Sequence, residues 1–242
     1  MRTVIIIIFL AIYLILALPV LIIGFIVGLF SKKDQYKIGK FIVTHLCRGI
    51  MFLTGSRVTV TGIDNIPDET VLFVGNHRSI FDVVLLIKVI NRPFGFIGKK
   101  ELTKIPYLNL ILKLMGGLFL DRSNLRAGLK VILAGIDMLK KGFSMLIFPE
   151  GTRNKNGEEP LPFKQGSLKL AEKANVPIVP FSIKGTDNIF ENTNGLKVKA
   201  SKVKLNFGKP ILLSELPEED SKKSAVYVRS IVVDLLSDML PH

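Results

Sequence analysis

In the run Asn76-His77-Arg78-Ser79-Ile80-Phe81-Asp82 a histidine stands five residues ahead of an aspartate. An imidazole titrates near neutral pH and can take a proton from a hydroxyl, and a carboxylate can hold it in one tautomer and orientation. In an unbroken helix the two side chains would lie about 140° apart and would not meet. If His77 instead precedes the helix and Ser79 caps it, an aspartate in the first turn can fold back to the imidazole. The same residues admit a plainer reading. Ser79-Ile80-Phe81-Asp82 fits the Ser-x-x-acid capping box, in which Asp82 only satisfies backbone donors.

Cations recur after other apolar runs: Lys99-Lys100, Arg122 after Leu118–Asp121, and Arg153 after the run ending at Phe148. One such charge is ordinarily a solvated surface group. Several converging on one crevice would bind a phosphomonoester, because the guanidinium fork matches phosphate oxygens. In Phe148-Pro149-Glu150-Gly151-Thr152-Arg153 the proline presets the chain and the glycine allows backbone approach. Glu150 could there fix Arg153 or receive a substrate hydroxyl. The alternative is an ordinary tight turn.

These residues need a scaffold that collects the ends of strands. Beyond about residue 56 short apolar runs alternate with longer helical stretches, the pattern of an α/β sheet with helices on its faces. Strands are expected at Val58–Val60, Val71–Gly75, Phe94–Ile97, Leu118–Leu120, Ser144–Phe148, Ile178–Ile183 and Val198–Phe207. Helices are expected at Ile80–Ile90, Tyr107–Met115, Leu125–Lys141, Ser167–Lys173 and Lys222–Leu240. The expected fold is a mixed, largely parallel sheet flanked by helices. In such a sheet the loops at the carboxyl ends of strands form the ligand crevice, which is where His77 falls. Val176-Pro177-Ile178-Val179-Pro180 reads as a sheet edge or a rigid wall, and the polar loop 154–162 as a mobile lip.

The N-terminus differs in kind. From Val4 to Phe30 no position carries a charge, and a helix of that length outspans a bilayer core. A cleaved signal peptide would have a shorter apolar core followed by a small-residue cleavage site. Lys32, Lys33, Lys37 and Lys40 follow the segment, so the positive-inside bias puts what comes next in the cytoplasm. Pro19 could kink a span or break a hairpin. Ile38 to Thr54 aligns Ile38, Phe41, Ile42, Leu46 and Met51, as either an interfacial helix or a core helix. The expected division is a membrane-anchoring helical segment over 1–55 and an α/β domain over 56–242.

Composition closes several alternatives. With 48% hydrophobic residues the chain is not disordered, and with one cysteine and three histidines it offers neither a disulfide framework nor a structural zinc cluster. The net charge of +13 suits nucleic acid or an anionic membrane surface. The basic residues are scattered, there is no Trp, and the apolar segment already favours lipid, so nucleic acid is not expected as a partner. No Gly-x-Ser-x-Gly, P-loop or Gly-x-Gly-x-x-Gly spacing occurs, which argues against a serine acyl-enzyme and a nucleotide site.

Taken together and in order, four segments resemble the motifs of the glycerolipid acyltransferases. They are Asn76-His77 with Asp82, Gly117-Leu118-Phe119-Leu120-Asp121-Arg122, Phe148-Pro149-Glu150-Gly151-Thr152-Arg153 and Val176-Pro177-Ile178-Val179-Pro180. The resemblance spans about residues 55–210 and is greatest to the bacterial 1-acylglycerol-3-phosphate acyltransferases. It implies transfer of a fatty acyl group from acyl carrier protein or coenzyme A to the sn-2 hydroxyl of lysophosphatidate, giving phosphatidate for phospholipid synthesis. His77 would be the base and Asp82 its orienting partner, with Arg122, Arg153 and Lys100 on the phosphate and Glu150, Gly151 and Thr152 shaping the acceptor site. It implies no metal and no cofactor beyond the acyl thioester. The enzyme would sit at the cell membrane with its catalytic domain on the cytoplasmic side, among membrane lipids. The same chemistry would serve glycerol 3-phosphate or another lysolipid, and a non-catalytic anionic-lipid binder is the alternative outside catalysis.

Overall fold

A computed structural model describes residues 1–121, 125–155, 157, 159–193 and 197–239. In chain order the helices are α1 (Arg2–Val27), α2 (Lys32–Thr54), α3 (Ile80–Val89), α4 (Pro106–Leu114), α5 (Leu125–Lys140), α6 (Gln165–Ala174), α7 (Glu218–Lys222) and α8 (Ser224–Ser237). The strands are β1 (Arg57–Thr61), β2 (Leu72–Gly75), β3 (Phe94–Lys99), β4 (Leu118–Leu120), β5 (Ser144–Ile147), β6 (Ile178–Lys184) and β7 (Lys202–Phe207). The architecture is the expected one, a mixed and mostly parallel sheet flanked by helices. The chain divides into two units, one of Met1–Arg57, Ser79–Asp121 and Thr186–Lys202, the other of Val58–Arg78, Arg122–Gly185 and Val203–His242.

The second unit is built on strands in the order β1-β7-β6-β2-β5. β2 runs parallel to both neighbours, with Leu72 opposite Met145 on one side and Ile178 on the other. β7 pairs antiparallel with β6, Phe207 opposite Phe181. Every residue of β2 and β5 is buried, as a parallel strand covered on both faces requires. Phe73, Phe181 and Phe207 meet edge-on or tilted in the core. α8 is tied to β6 where the Ser182 hydroxyl donates to the Val232 carbonyl, and Gln165 Nε2 joins α6 to α8 by donating to Ser224 Oγ at 2.8 Å.

The Pro-rich run is not an edge: β6 lies between β2 and β7. Pro180 is tolerated because β7 leaves the ladder beside it, between the Phe181–Phe207 pair and the isolated Ile178–Ile211 bridge. β7 also begins at Lys202 instead of Val198.

In the first unit β3 and β4 pair in parallel, Ile97 opposite Leu118. α1 and α2 run antiparallel. Tyr13 Oη donates to the Ile42 carbonyl at 2.7 Å. A Cβ at Gly49 would fall 2.3 Å from the Phe9 ring, and one at Gly39 would fall 2.5 Å from the Leu114 carbonyl of α4, so both sites need hydrogen for close packing. α2 starts at Lys32, capped by Ser31, whose Oγ accepts from the Asp34 N–H, and ends at Gly55 in the left-handed region. α1 continues unbroken through Pro19.

α1 is long and apolar enough to cross a membrane, and only 17% of its most apolar window is buried. The apolar stripe of α2 turns the other way. Ile42, Leu46 and Met51 are buried within the protein, and only Phe41 of the expected membrane face is exposed, so most of this stripe belongs to the core. Cys47 is buried with them, and that burial pushes its thiol up to about 12, so it serves as a small apolar residue.

Candidate active site

In the second unit β2 ends at Gly75 and the chain leaves the sheet through Asn76 and His77. Asn76 is buried and clamps this exit to β6: its Nδ2 donates to the Ile183 carbonyl and its Oδ1 accepts from the Ile183 N–H, both at 2.8 Å. The backbone of His77 is then held on both sides. Its N–H donates to Glu150 Oε1 at 2.6 Å, and its carbonyl accepts from the Asn154 N–H at 2.7 Å. Its ring stacks on Phe148 with centroids 4.0 Å apart and planes 15° apart. Phe148 in turn stands edge-on to Phe181, with centroids 6.0 Å apart. The histidine is half-buried and its place is defined by β2, β5 and β6 together.

The turn after β5 closes with the Gly151 N–H donating to the Phe148 carbonyl at 3.0 Å. Gly151 has φ +72°, and a Cβ there would also crowd Lys164 Nζ at 2.8 Å, so the position demands glycine. Glu150 is only 4% exposed. Its Oε1 takes the His77 N–H and its Oε2 takes the Leu161 N–H at 2.9 Å, so it joins the histidine's backbone to the following loop. Thr152 and Arg153 are exposed. The loop expected to be a mobile lip is tied by hydrogen bonds at several of its described positions. Asn154 is buried and donates to the Glu159 carbonyl at 2.7 Å, Arg78 donates to the Gly157 carbonyl, and Arg229 donates to the Pro160 carbonyl.

In the first unit Ser79 caps α3 and the full capping box forms. The Phe81 N–H donates to Ser79 Oγ at 3.0 Å, and the Ser79 N–H donates to Asp82 Oδ2 at 2.9 Å. Asp82 is fully buried, and its Oδ1 accepts from Thr186 Oγ1 at 2.5 Å. A carboxylate can accept about four hydrogen bonds, so capping and the orientation of an imidazole are compatible uses of one side chain. Lys100 lies just past β3 and donates to Asp121 at 2.9 Å, a bond that raises the ammonium's pKa. A phosphate bound by Lys100 would have to compete with that carboxylate. Arg122 lies outside the described residues. Among the described residues no three His, Cys, Asp or Glu side chains gather as a metal site would require.

The structure thus brings together His77, Phe148 and Glu150 in one unit, and Lys100 with Asp121 in the other. Sequence reasoning missed Phe148 as a platform for the imidazole, although an aromatic directly ahead of Pro149-Glu150 was the available signal. It also missed Thr186, which lies 104 residues from its partner and carried no local signal.

A family model described as Acyltransferase matches residues 57–184. The chain is 31% identical over 202 residues to a 1-acyl-sn-glycerol-3-phosphate acyltransferase of Borreliella burgdorferi, covering 83% of this chain and 77% of that protein. It is 32% identical over 234 residues to a probable 1-acyl-sn-glycerol-3-phosphate acyltransferase of Mycoplasma pneumoniae, covering 88% and 86%. Among solved structures, the crystal structure of the 1-acyl-sn-glycerophosphate (LPA) acyltransferase PlsC from Thermotoga maritima superimposes with a TM-score of 0.73 at 27% identity. The match covers 99% of this chain and 98% of that one.

Proposed function

Because this chain belongs to the acyltransferase family, we propose that it transfers a fatty acyl group from an acyl thioester to the sn-2 hydroxyl of lysophosphatidate, making phosphatidate. The thioester is carried on coenzyme A or acyl carrier protein. His77 takes the hydroxyl proton as the acceptor oxygen attacks the thioester carbonyl. The C–O bond forms, the C–S bond breaks, and the proton passes from the imidazole to the departing thiolate. Asp82 holds the imidazole in the required tautomer. General-base assistance of this kind contributes about 10²–10⁴-fold, and holding the two substrates in register supplies much of the rest.

The observation that carries the reading is the fixing of His77 through its ring, its N–H and its carbonyl at the carboxyl end of a parallel strand. A histidine kept for packing alone would not need that many constraints. Arg153, with Arg122 and Lys100, binds the acceptor's phosphate. Gly151 and Thr152 shape the acceptor site, and Glu150 contributes to it by fixing the loop that carries His77.

Both acceptor and product are membrane lipids, and the helix pair supports a station at the cytoplasmic face of the cell membrane. α1 and α2 lie side by side, so carrying α1 across a bilayer would also immerse Lys33, Lys37, Lys40 and Arg48 of α2, at several kcal/mol for charges at depth. A pair lying in one leaflet avoids that cost, and leaves the exposed Leu29, Phe30 and outer face of α1 in lipid.

The test is a panel of acceptors offered to the purified protein with one acyl thioester, repeated with His77→Ala. The expected result is phosphatidate from lysophosphatidate, lost by at least about 10²-fold in the folded variant. Turnover of glycerol 3-phosphate without lysophosphatidate would overturn the acceptor assignment. An active His77→Ala would overturn the base.

A further inference from the structure

One contact to the Asp82 carboxylate comes from beyond the motifs. The family model ends at residue 184, and the chain then folds through two short 3-10 turns, Asp187–Ile189 and Glu191–Thr193. Three residues of this segment reach the first turn of α3. Thr186 Oγ1 donates to Asp82 Oδ1 at 2.5 Å, and both residues are 0% exposed. The Phe190 ring lies against Phe81, centroids 6.5 Å apart. Glu191 accepts from Ser79 Oγ at 2.6 Å and from the Ile80 N–H at 2.9 Å.

These contacts act on the same few atoms. The terminal torsion of an aspartate is broad, so a hydrogen bond to one oxygen leaves the carboxylate plane loosely set. The capping bond from the Ser79 N–H engages Oδ2. The Thr186 bond adds a second point on the other oxygen and defines the plane. Glu191 sets the neighbouring hydroxyl: the single Ser79 hydroxyl proton goes to Glu191, which turns an oxygen lone pair toward the Phe81 N–H.

We infer that segment 186–191 is a clasp on the first turn of α3, and that Thr186 is a positioning residue that sets the plane of the Asp82 carboxylate for transfer. The inference rests on the proposed roles of His77 and Asp82. Thr186 touches neither substrate nor the reacting atoms, so its effect falls on the rate of the bound complex and leaves substrate binding alone.

Four proteins test it: Thr186→Val, Thr186→Ser, Asp82→Ala and the double variant Thr186→Val with Asp82→Ala. Thr186→Val keeps the shape and loses the hydroxyl. Its kcat is expected to fall roughly ten- to a hundredfold, with KM for both substrates within about twofold of the parent. Thr186→Ser keeps the donor and should recover most of the loss. In the Asp82→Ala background there is no carboxylate to orient, so adding Thr186→Val should change kcat by less than about twofold. Three results would each overturn the inference: kcat near that of the parent in Thr186→Val, equal loss in Thr186→Ser and Thr186→Val, or the same fractional loss with and without Asp82. If Thr186→Val does not fold, Glu191→Gln takes its place in the cycle, and a loss independent of Asp82 would likewise reject the clasp. Failure of the underlying reading has its own signature, parent-like turnover in Asp82→Ala or His77→Ala alone.

Discussion

The carboxylate of Glu150 accepts the backbone N–H of His77 at 2.6 Å, and through its other oxygen the N–H of Leu161. A buried acid at the start of one loop thereby ties down the histidine at the end of another strand. Glu150→Ala would leave two half-buried N–H donors without that partner, at up to about 1–3 kcal/mol each. For a chain of this size each kcal/mol lowers Tm by about 2–4 °C. The expected outcome is a lower melting temperature with kcat reduced at least about tenfold. Glu150→Gln, which keeps one acceptor oxygen, should fall between Ala and the parent. Thermal melts and steady-state rates on the three proteins check both halves.

Phe148 supplies the flat surface under the imidazole. Phe148→Leu retains apolar bulk but not the stacked face, so the imidazole gains freedom while the sheet stays closed. Such a swap is expected to cost less than about 1.5 kcal/mol of stability and to lower kcat more than it alters KM for either substrate. A parent-like kcat in Phe148→Leu would show that stacking has no part in holding the base.

Lys40 donates to the Ile87 carbonyl at 2.5 Å and lies over the Phe94 ring. Burial pushes its ammonium down from 10.5 to about 8. Between those two values the unfolded chain binds more protons than the folded one, so stability rises with pH across that window. Below about pH 8 both states are protonated and the cost of burying the charge is fully present. The difference in Tm between the parent and Lys40→Met should therefore move in the parent's favour as pH climbs from 8 to 10.5. A difference that is flat with pH would show that Lys40 does not titrate there.

Leu29 and Phe30 close the turn after α1 and are 80% and 87% exposed. Burying such a side chain in lipid is worth about 1.5–3 kcal/mol. Leu29→Ser with Phe30→Ser should therefore weaken vesicle binding by more than about tenfold, with the soluble-phase fold intact. Cosedimentation with phospholipid vesicles measures it, and unchanged binding would put the lipid contact elsewhere.

The sequence alone determined the elements and the chemistry near each motif. Short apolar runs bounded by Gly, Pro, Asn or Lys favoured strands over helices, and β2 through β6 fall close to their expected bounds. Ser79 and Asp82 spelled a capping box and one formed. The uncharged run from Val4 became one long exposed helix. Local signals of this kind depend on neighbours in the chain, so they are legible before folding.

Tertiary structure decided the partners. Whether the stripe of α2 faced lipid or protein depended on the packing of α1 and α4, which periodicity cannot report, and most of it turned inward. The run at Val176–Pro180 read as an edge or a rigid wall because proline lacks a donor, and the departure of β7 from the ladder beside Pro180 made an interior place possible. Lys100 was legible as a cation at a strand end, while its engagement by Asp121 was not. Thr186 and Glu150 lie 104 and 73 residues along the chain from their partners. Residues that distant meet only when strand order brings their loops together, and no spacing along the chain encodes that order directly.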